Sequence, residues 1–542
     1  MEIVEKSFEK KDAAIIFIAG VVLFLTGLPP EFLALDARFA VFAQEMMRSG
    51  PTFFPTTYGT PYPDYPGTGT FMIYLASLPF GHVTMLSAIL PTAIVSSLVL
   101  VVTYGIGALR SRKWGIAAVL LMLFTKSFFA LSRTISPDMY VTLFTSLCFY
   151  VCYSATLLKR PRRLWLVPFL ALGGFAFRGP IGLIVPAAVA CGYLFFNKEY
   201  KRFILVGLAS FLMLIIGLLS LFAAAKYQGG QEFIKVVMNW QVGCRIPYNK
   251  SHPYTYYWTG AMGQYAVSYI LALIVIAAMI REIVKPKTQE HRLLRDLTLW
   301  MLVVMVGFTI PGVKKMRYIL PACPAFSLIG AYLLVGILEK PFLVKVRDVF
   351  VGICNVLPYG VCVFCGVALL FWSQFKIDFQ PHLLTAFLAM CGLTAGFFLL
   401  LRRQHDRAVK ELIKVGAAAL TVIVLIVCFS ETAFYQKYRS KPFVNAVSSQ
   451  LEQRSGQLAF YKVSSDAEAI KFLVNYEKPI SPVFIGLPEE ILTLKPGTVF
   501  ICMEEDYQKL PAEIVDKLSE KCTGRLDGVD CICFTVATSN NG

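Results

Sequence analysis

The chain has 542 residues, of which 56% are hydrophobic and 16% charged, with a formal net charge of +17 at pH 7. A soluble chain carries about 25% charged residues, so the composition excludes an ordinary soluble globular protein and predicts a polytopic membrane protein. Most of the positive excess falls in clusters at alternate gaps between apolar segments, so it reads as topology and lipid-headgroup contact, and no nucleic-acid partner is expected.

A window of about 20 residues predicts about thirteen membrane spans, near 12–32, 83–108, 114–131, 138–157, 164–178, 180–197, 203–225, 259–281, 297–311, 317–337, 349–372, 383–401 and 413–434. The first apolar run lacks a small-residue cleavage site before Pro29-Pro30, so it reads as a retained span. Six basic clusters, at Arg110/Arg112/Lys113, 159–163, 198–202, 281–295, 340–347 and 402–414, mark the cytoplasmic loops. The N-terminus is then cytoplasmic and the C-terminus lies outside.

The first outer loop, 33–80, opens with an amphipathic surface helix over 37–48 and continues through the string TPYPDYPGTG at 60–69. The second, 226–258, carries Trp240, Arg245, Tyr248, Lys250 and the string SHPYTYYW at 251–258. Its aromatics also suit a plain interfacial belt. After Tyr435 the chain turns globular, dividing it into a membrane domain, 1–434, and a soluble α/β domain, 435–542. Strands are expected at 458–463, 483–485, 498–502 and 531–536, and helices at 466–475 and 512–521. Most of the fourteen cysteines sit in apolar runs and behave as small hydrophobes. Cys502, Cys522, Cys531 and Cys533 lie in the outer domain, where a disulfide is chemically permitted but its pairing is not readable.

Basic residues are sparse on the outer side. Arg38, Arg178, Arg245, Lys314, Lys315 and Arg317 stand there against the sorting rule, and an anionic ligand is the simplest reason for them. Asp36 and Asp138 each precede or open a predicted helix, so N-capping is the bland account of both. Arg178 equally suits bonding of exposed helix-end carbonyls, and a lone histidine such as His252 is more often structural than a ligand.

The order of motifs resembles the polyprenyl-phosphate-dependent glycosyltransferases of the GT-C fold, the superfamily of the lipid A aminoarabinose transferase and, more distantly, the protein O-mannosyltransferases. The motifs are Asp36-Ala37-Arg38 after the first span, a Gly-x-Pro-Tyr-x-acid-x-Pro string at 59–66, Ser136-Pro137-Asp138, Arg178-Gly179-Pro180, the His252 aromatic string, and Lys-x-Arg-Tyr-x-Leu-Pro at 315–321. The resemblance implies transfer of a hexosyl or pentosyl group from a lipid-phosphate donor to lipid A or another surface glycan or protein. Transfer would occur on the outer face of a bacterial inner membrane. It implies Asp36 and Asp138 as catalytic acids, and Arg38, Arg178, Arg245, Lys314, Lys315, Arg317 and Tyr65 as donor-phosphate ligands. It also implies Asp64 and His252 as a divalent-metal pair. Leu35 stands where the superfamily usually has its first acid, and Tyr65 where it has a lysine. No Gly-rich phosphate loop occurs, so no nucleotide cofactor is expected. A transporter would show mid-span charges and internal repeats. An assembly scaffold gives no reason for acids and bases to gather on these loops.

Overall fold

The computed structural model describes residues 9–64, 66–241, 243, 252–371, 380–454, 457–476 and 478–537. Among these, seven helices are long and apolar enough to cross a membrane. The pair Arg112–Leu123 and Lys126–Ser132, bent by 77°, makes an eighth if it is one broken span. Met316–Val335 is the central member, with 89% of its most apolar stretch buried. Tyr200–Gln241 and Pro341–Leu370 lie at the periphery and turn Leu208, Phe211, Val363 and Phe364 outward. That exposure is what a lipid-facing surface requires.

Several expected boundaries move. The first span ends at Leu25, and the chain runs non-helically to Leu33. The expected loop at 226–258 is helical as far as Gln241, because Tyr200–Gln241 continues past a kink at Gly230. The segment expected at 259–281 divides into Tyr256–Gln264, Ala266–Ala278 and Ile280–Val284. Arg178-Gly179-Pro180 breaks Leu166–Arg178 from Pro180–Phe196. Gly179 adopts φ +63°, ψ −148°, a region essentially reserved for glycine.

The first outer loop of the sequence reading is structured. It holds the helices Ala34–Ser49 and Thr68–Ser77 and a two-stranded hairpin, Thr56–Thr57 with Thr60–Pro61. Tyr58 and Gly59 at the hairpin tip have φ of +55° and +75°, the pattern of a type I′ turn. The Glu45 carboxylate accepts both their amides, at 2.6 and 3.3 Å.

The C-terminal sheet runs 483–485, 458–461, 499–503, 529–536, 518–526 across its width. The first three strands are parallel and the last two antiparallel. Helix Glu468–Tyr476 makes the crossover that parallel neighbours need. The helix expected at 512–521 is only Ala512–Val515, and Leu518–Leu526 is a strand. Asp527-Gly528, with φ of +53° and +84°, is an Asp-Gly hairpin turn that closes it onto Val529–Val536. Within it Cys522 stands opposite Cys533.

This sheet unit is welded to the membrane bundle. Ile470 and Val474 share one core with Ala37, Phe39, Ala40, Val41 and Ala43 of the helix Ala34–Ser49. The Glu31 carboxylate accepts the amides of Ser440 and Lys441 at 2.9 and 2.7 Å. The chain passes 434–435 inside the helix Thr432–Tyr438.

Candidate active site

The site gathers at the end of the bundle that carries the sheet unit. Asp138 lies in the first turn of Pro137–Leu157, behind N-cap Ser136, and makes no cap of its own. It is buried between two arginines. Arg178 Nε lies 3.2 Å from Oδ1 and Arg317 Nε 3.2 Å from Oδ2. Arg178 arrives there as the last residue of its helix, turned by Gly179. An added Cβ on Gly179 would lie 3.0 Å from Gln241 Oε1. Tyr140 stacks on Phe177 at 4.0 Å beside this cluster.

Arg317 is placed by the loop before the central helix. The Lys315 amide donates to Tyr257 Oη at 3.2 Å, and Tyr265 Oη donates to the Met316 carbonyl at 3.1 Å. Tyr257 is therefore a fully buried strut and not part of an interfacial belt. The Lys315 ammonium is held below its usual proton affinity, first by burial, then by Arg317 and Arg178, with Asp64 and Asp138 opposing. These five groups share one electrostatic neighbourhood in which cations outnumber carboxylates three to two.

Asp36 is the third residue of its helix, whose N-cap is Leu33, so capping does not explain it. Its Oδ1 accepts the Ile135 amide at 2.7 Å. Burial raises its pKa from 3.8 to about 7, against the lowering effect of that bond. A single connection, 133–136, thus touches both carboxylates: Ile135 holds Asp36, and three residues later the chain supplies Asp138. An apolar cleft opens along it, lined by Phe39, Ile135, Ser136, Pro137, Tyr140 and Phe177.

The other candidates lie differently. Arg38 donates to Tyr62 Oη at 2.8 Å and to the Asp466 carbonyl at 2.6 Å, and pairs with the Asp466 carboxylate at 3.0 Å. Lys314 is buried, donating to the carbonyls of His252 and Pro253 at 2.9 and 3.4 Å under the Tyr254 ring. Both cations are thus committed to protein partners. His252 is exposed and stacks on Tyr256 at 4.5 Å. Among the described residues no three His, Cys, Asp or Glu side chains come together as metal donors. Asp64 and His252 thus belong to no such group among the described residues. Tyr65 and Arg245 lie outside the described residues.

Sequence reasoning passed over Asp466, Tyr62, Arg133 and Glu431. Arg133 carried the signal already applied to Arg178, since it is a basic residue between the third and fourth predicted spans, on the sparse side. Asp466 carried none, since only folding brings it to Arg38, across 428 residues.

A family pattern described as dolichyl-phosphate-mannose-protein mannosyltransferase matches residues 64–225. An uncharacterised protein of Aquifex aeolicus is 22% identical over 377 residues, covering 68% of this chain and 72% of its own. ArnT from Cupriavidus metallidurans bound to undecaprenyl phosphate superposes with a TM-score of 0.71 at 15% identity, covering 98% of this chain and 99% of that one. AglB from Archaeoglobus fulgidus, solved with an inhibitory peptide and a dolichol-phosphate, gives 0.51 at 10% identity, covering 92% and 70%. The motif resemblance and the backbone agree: this chain is a polytopic membrane protein of the GT-C fold, the fold it shares with ArnT and AglB.

Proposed function

We propose that this protein is a membrane glycosyltransferase that moves a sugar from a polyprenyl-phosphate donor to an acceptor at the sheet-bearing end of the bundle. The observation that carries this reading is the buried Asp138 held between Arg178 and Arg317 with Lys315 alongside. Breaking a glycosyl-phosphate bond leaves negative charge on the phosphate, and fixed cations lower that barrier. Asp138 suits the task of orienting the two guanidinium groups. The undecaprenyl phosphate of ArnT and the dolichol-phosphate of AglB supply the ligand class.

Asp36 is the better acid for proton transfer. A base poised near neutral pH is matched to deprotonating an acceptor hydroxyl, and burial supplies that tuning. The basic clusters support a sheet unit on the outer side, where an enzyme of a bacterial inner membrane would meet lipid A or another surface glycan or protein as acceptor.

The test is transfer from a purified polyprenyl-phosphate sugar by reconstituted protein. Each charge-assisted contact is worth about 1.5–3 kcal/mol, so Arg317→Ala and Arg178→Ala should each lose at least about tenfold in turnover while remaining folded. Undiminished turnover in both would remove the phosphate cluster from the mechanism.

A further inference from the structure

Arg133 is 3% exposed and makes six hydrogen bonds. Nε and Nη2 grip the Glu431 carboxylate in a fork, each at 2.8 Å. Nη1 donates to the carbonyls of Leu23, Phe24 and Thr26 at 3.4, 3.2 and 2.5 Å, and Nη2 to that of Gly27 at 2.9 Å. Leu23 and Phe24 belong to the last turn of the first helix, whose carbonyls need such donors, and Thr26 and Gly27 to the turn that follows it. Glu431 ends a π-helical turn, Ile426–Glu431, in the last span, and single π turns recur at functional sites.

End-capping alone explains the carbonyl bonds. It does not explain why the arginine comes from the connection 133–136, nor why the last span departs from α-helical winding where its acid meets that arginine. Two residues after Arg133, the Ile135 amide donates to Asp36. We propose that the Arg133–Glu431 pair is a positioning device that fixes the Ile135 amide on Asp36 and thereby sets when Asp36 can accept a proton; its catalytic consequence rests on the reading of Asp36 as the base.

Among the described residues no other charge on the elements packed against Asp36 is placed to do this. On Asp36's own helix, Arg38 is held by Asp466, Glu45 accepts the hairpin amides, and Arg48 stands at the far end in the last turn. On the packed helix Glu468–Tyr476, Lys471 pairs with Asp527, and Glu468 is the remaining titratable group besides Tyr476. The packed helix Thr68–Ser77 carries no charged residue, its only titratable group being Tyr74, and the packed strand Thr56–Thr57 carries neither. Asp138 is held by Arg178 and Arg317. The described interactions that set Asp36's affinity for a proton are burial and the Ile135 bond alone.

The experiment is an infrared pH titration of purified full-length protein. It follows the protonated-carboxyl band that disappears in Asp36→Asn, in wild type, Glu431→Gln and Arg133→Lys. A slackened Ile135 bond stabilises the carboxylate less, so the midpoint should rise in both variants. The acidic limb of the kcat–pH profile should rise with it, lowering kcat about threefold at neutral pH with recovery in base and leaving KM for the donor unchanged. A purely structural pair would lower thermal stability and leave the midpoint in place, and that result overturns the proposal. Should Arg133→Lys fail to fold, the isosteric Glu431→Gln decides alone. A midpoint that moves without the kinetic limb would uphold the device and remove Asp36 as the base.

Discussion

At the scale of single residues, the two carboxylates are set up for opposite purposes. Asp138 is surrounded by positive charge. Asp36 is surrounded by hydrocarbon, with one amide to receive it. Its raised pKa has a consequence for stability that can be signed. In the unfolded chain Asp36 titrates near 3.8 and in the folded chain near 7, so the folded state holds the proton over a wider range. Its favourable contribution is then present below pH 4 and fades as pH rises through 7. Asp36→Asn stays neutral throughout, so it should stabilise the protein above pH 7 by up to about 4 kcal/mol, at about 1.4 kcal/mol per pH unit, and by little at pH 4. Thermal unfolding in detergent at both pH values checks this. The same variant should lose sugar transfer, because an amide cannot accept the acceptor's proton.

At the scale of elements, the site is made by breaks in helices. Gly179→Ala should cost about 1–3 kcal/mol in backbone strain and turn Arg178 away from Asp138, with turnover falling further than stability alone explains. Turnover measured beside thermal unfolding separates the two effects. The apolar runs of the long spans were legible in the sequence because a span needs little besides hydrophobic length. The motifs at Asp138, Arg178 and Arg317 were legible because cations on the sparse side demand a reason. The bend near Phe124 and the helical continuation to Gln241 were not, since both arise from packing against neighbours. Where Lys314 sends its charge was not legible, for the same kind of reason. Its charge is real, but the fold brings the His252 and Pro253 carbonyls to it first. The Asp527-Gly528 turn was readable and went unread, which turned a strand into an expected helix.

At the scale of the whole molecule, the orientation proposed from the basic clusters is open to direct measurement. A cysteine in place of the exposed Lys495 should react with an impermeant maleimide on intact spheroplasts, above the background of the parent chain. One in place of the exposed Lys287 should react only after lysis. The reverse pattern would place the phosphate cluster on the opposite face and remove the outer-surface acceptors from consideration.

The shared core of Ile470 and Val474 with Ala37, Phe39 and Ala40 also bears on how such a chain can change over evolutionary time. A terminal unit joined by a linker can be lost, swapped or appended without disturbing what it was attached to. Here the junction is hydrocarbon interior, and the helix it covers is the one that bears Asp36. Removing the sheet would wet that helix's covered face, let water reach the carboxyl and return its proton affinity toward that of a free aspartate. The terminal unit is therefore inherited with the chemistry, and a shortened descendant would need a new cover for that helix before it could work.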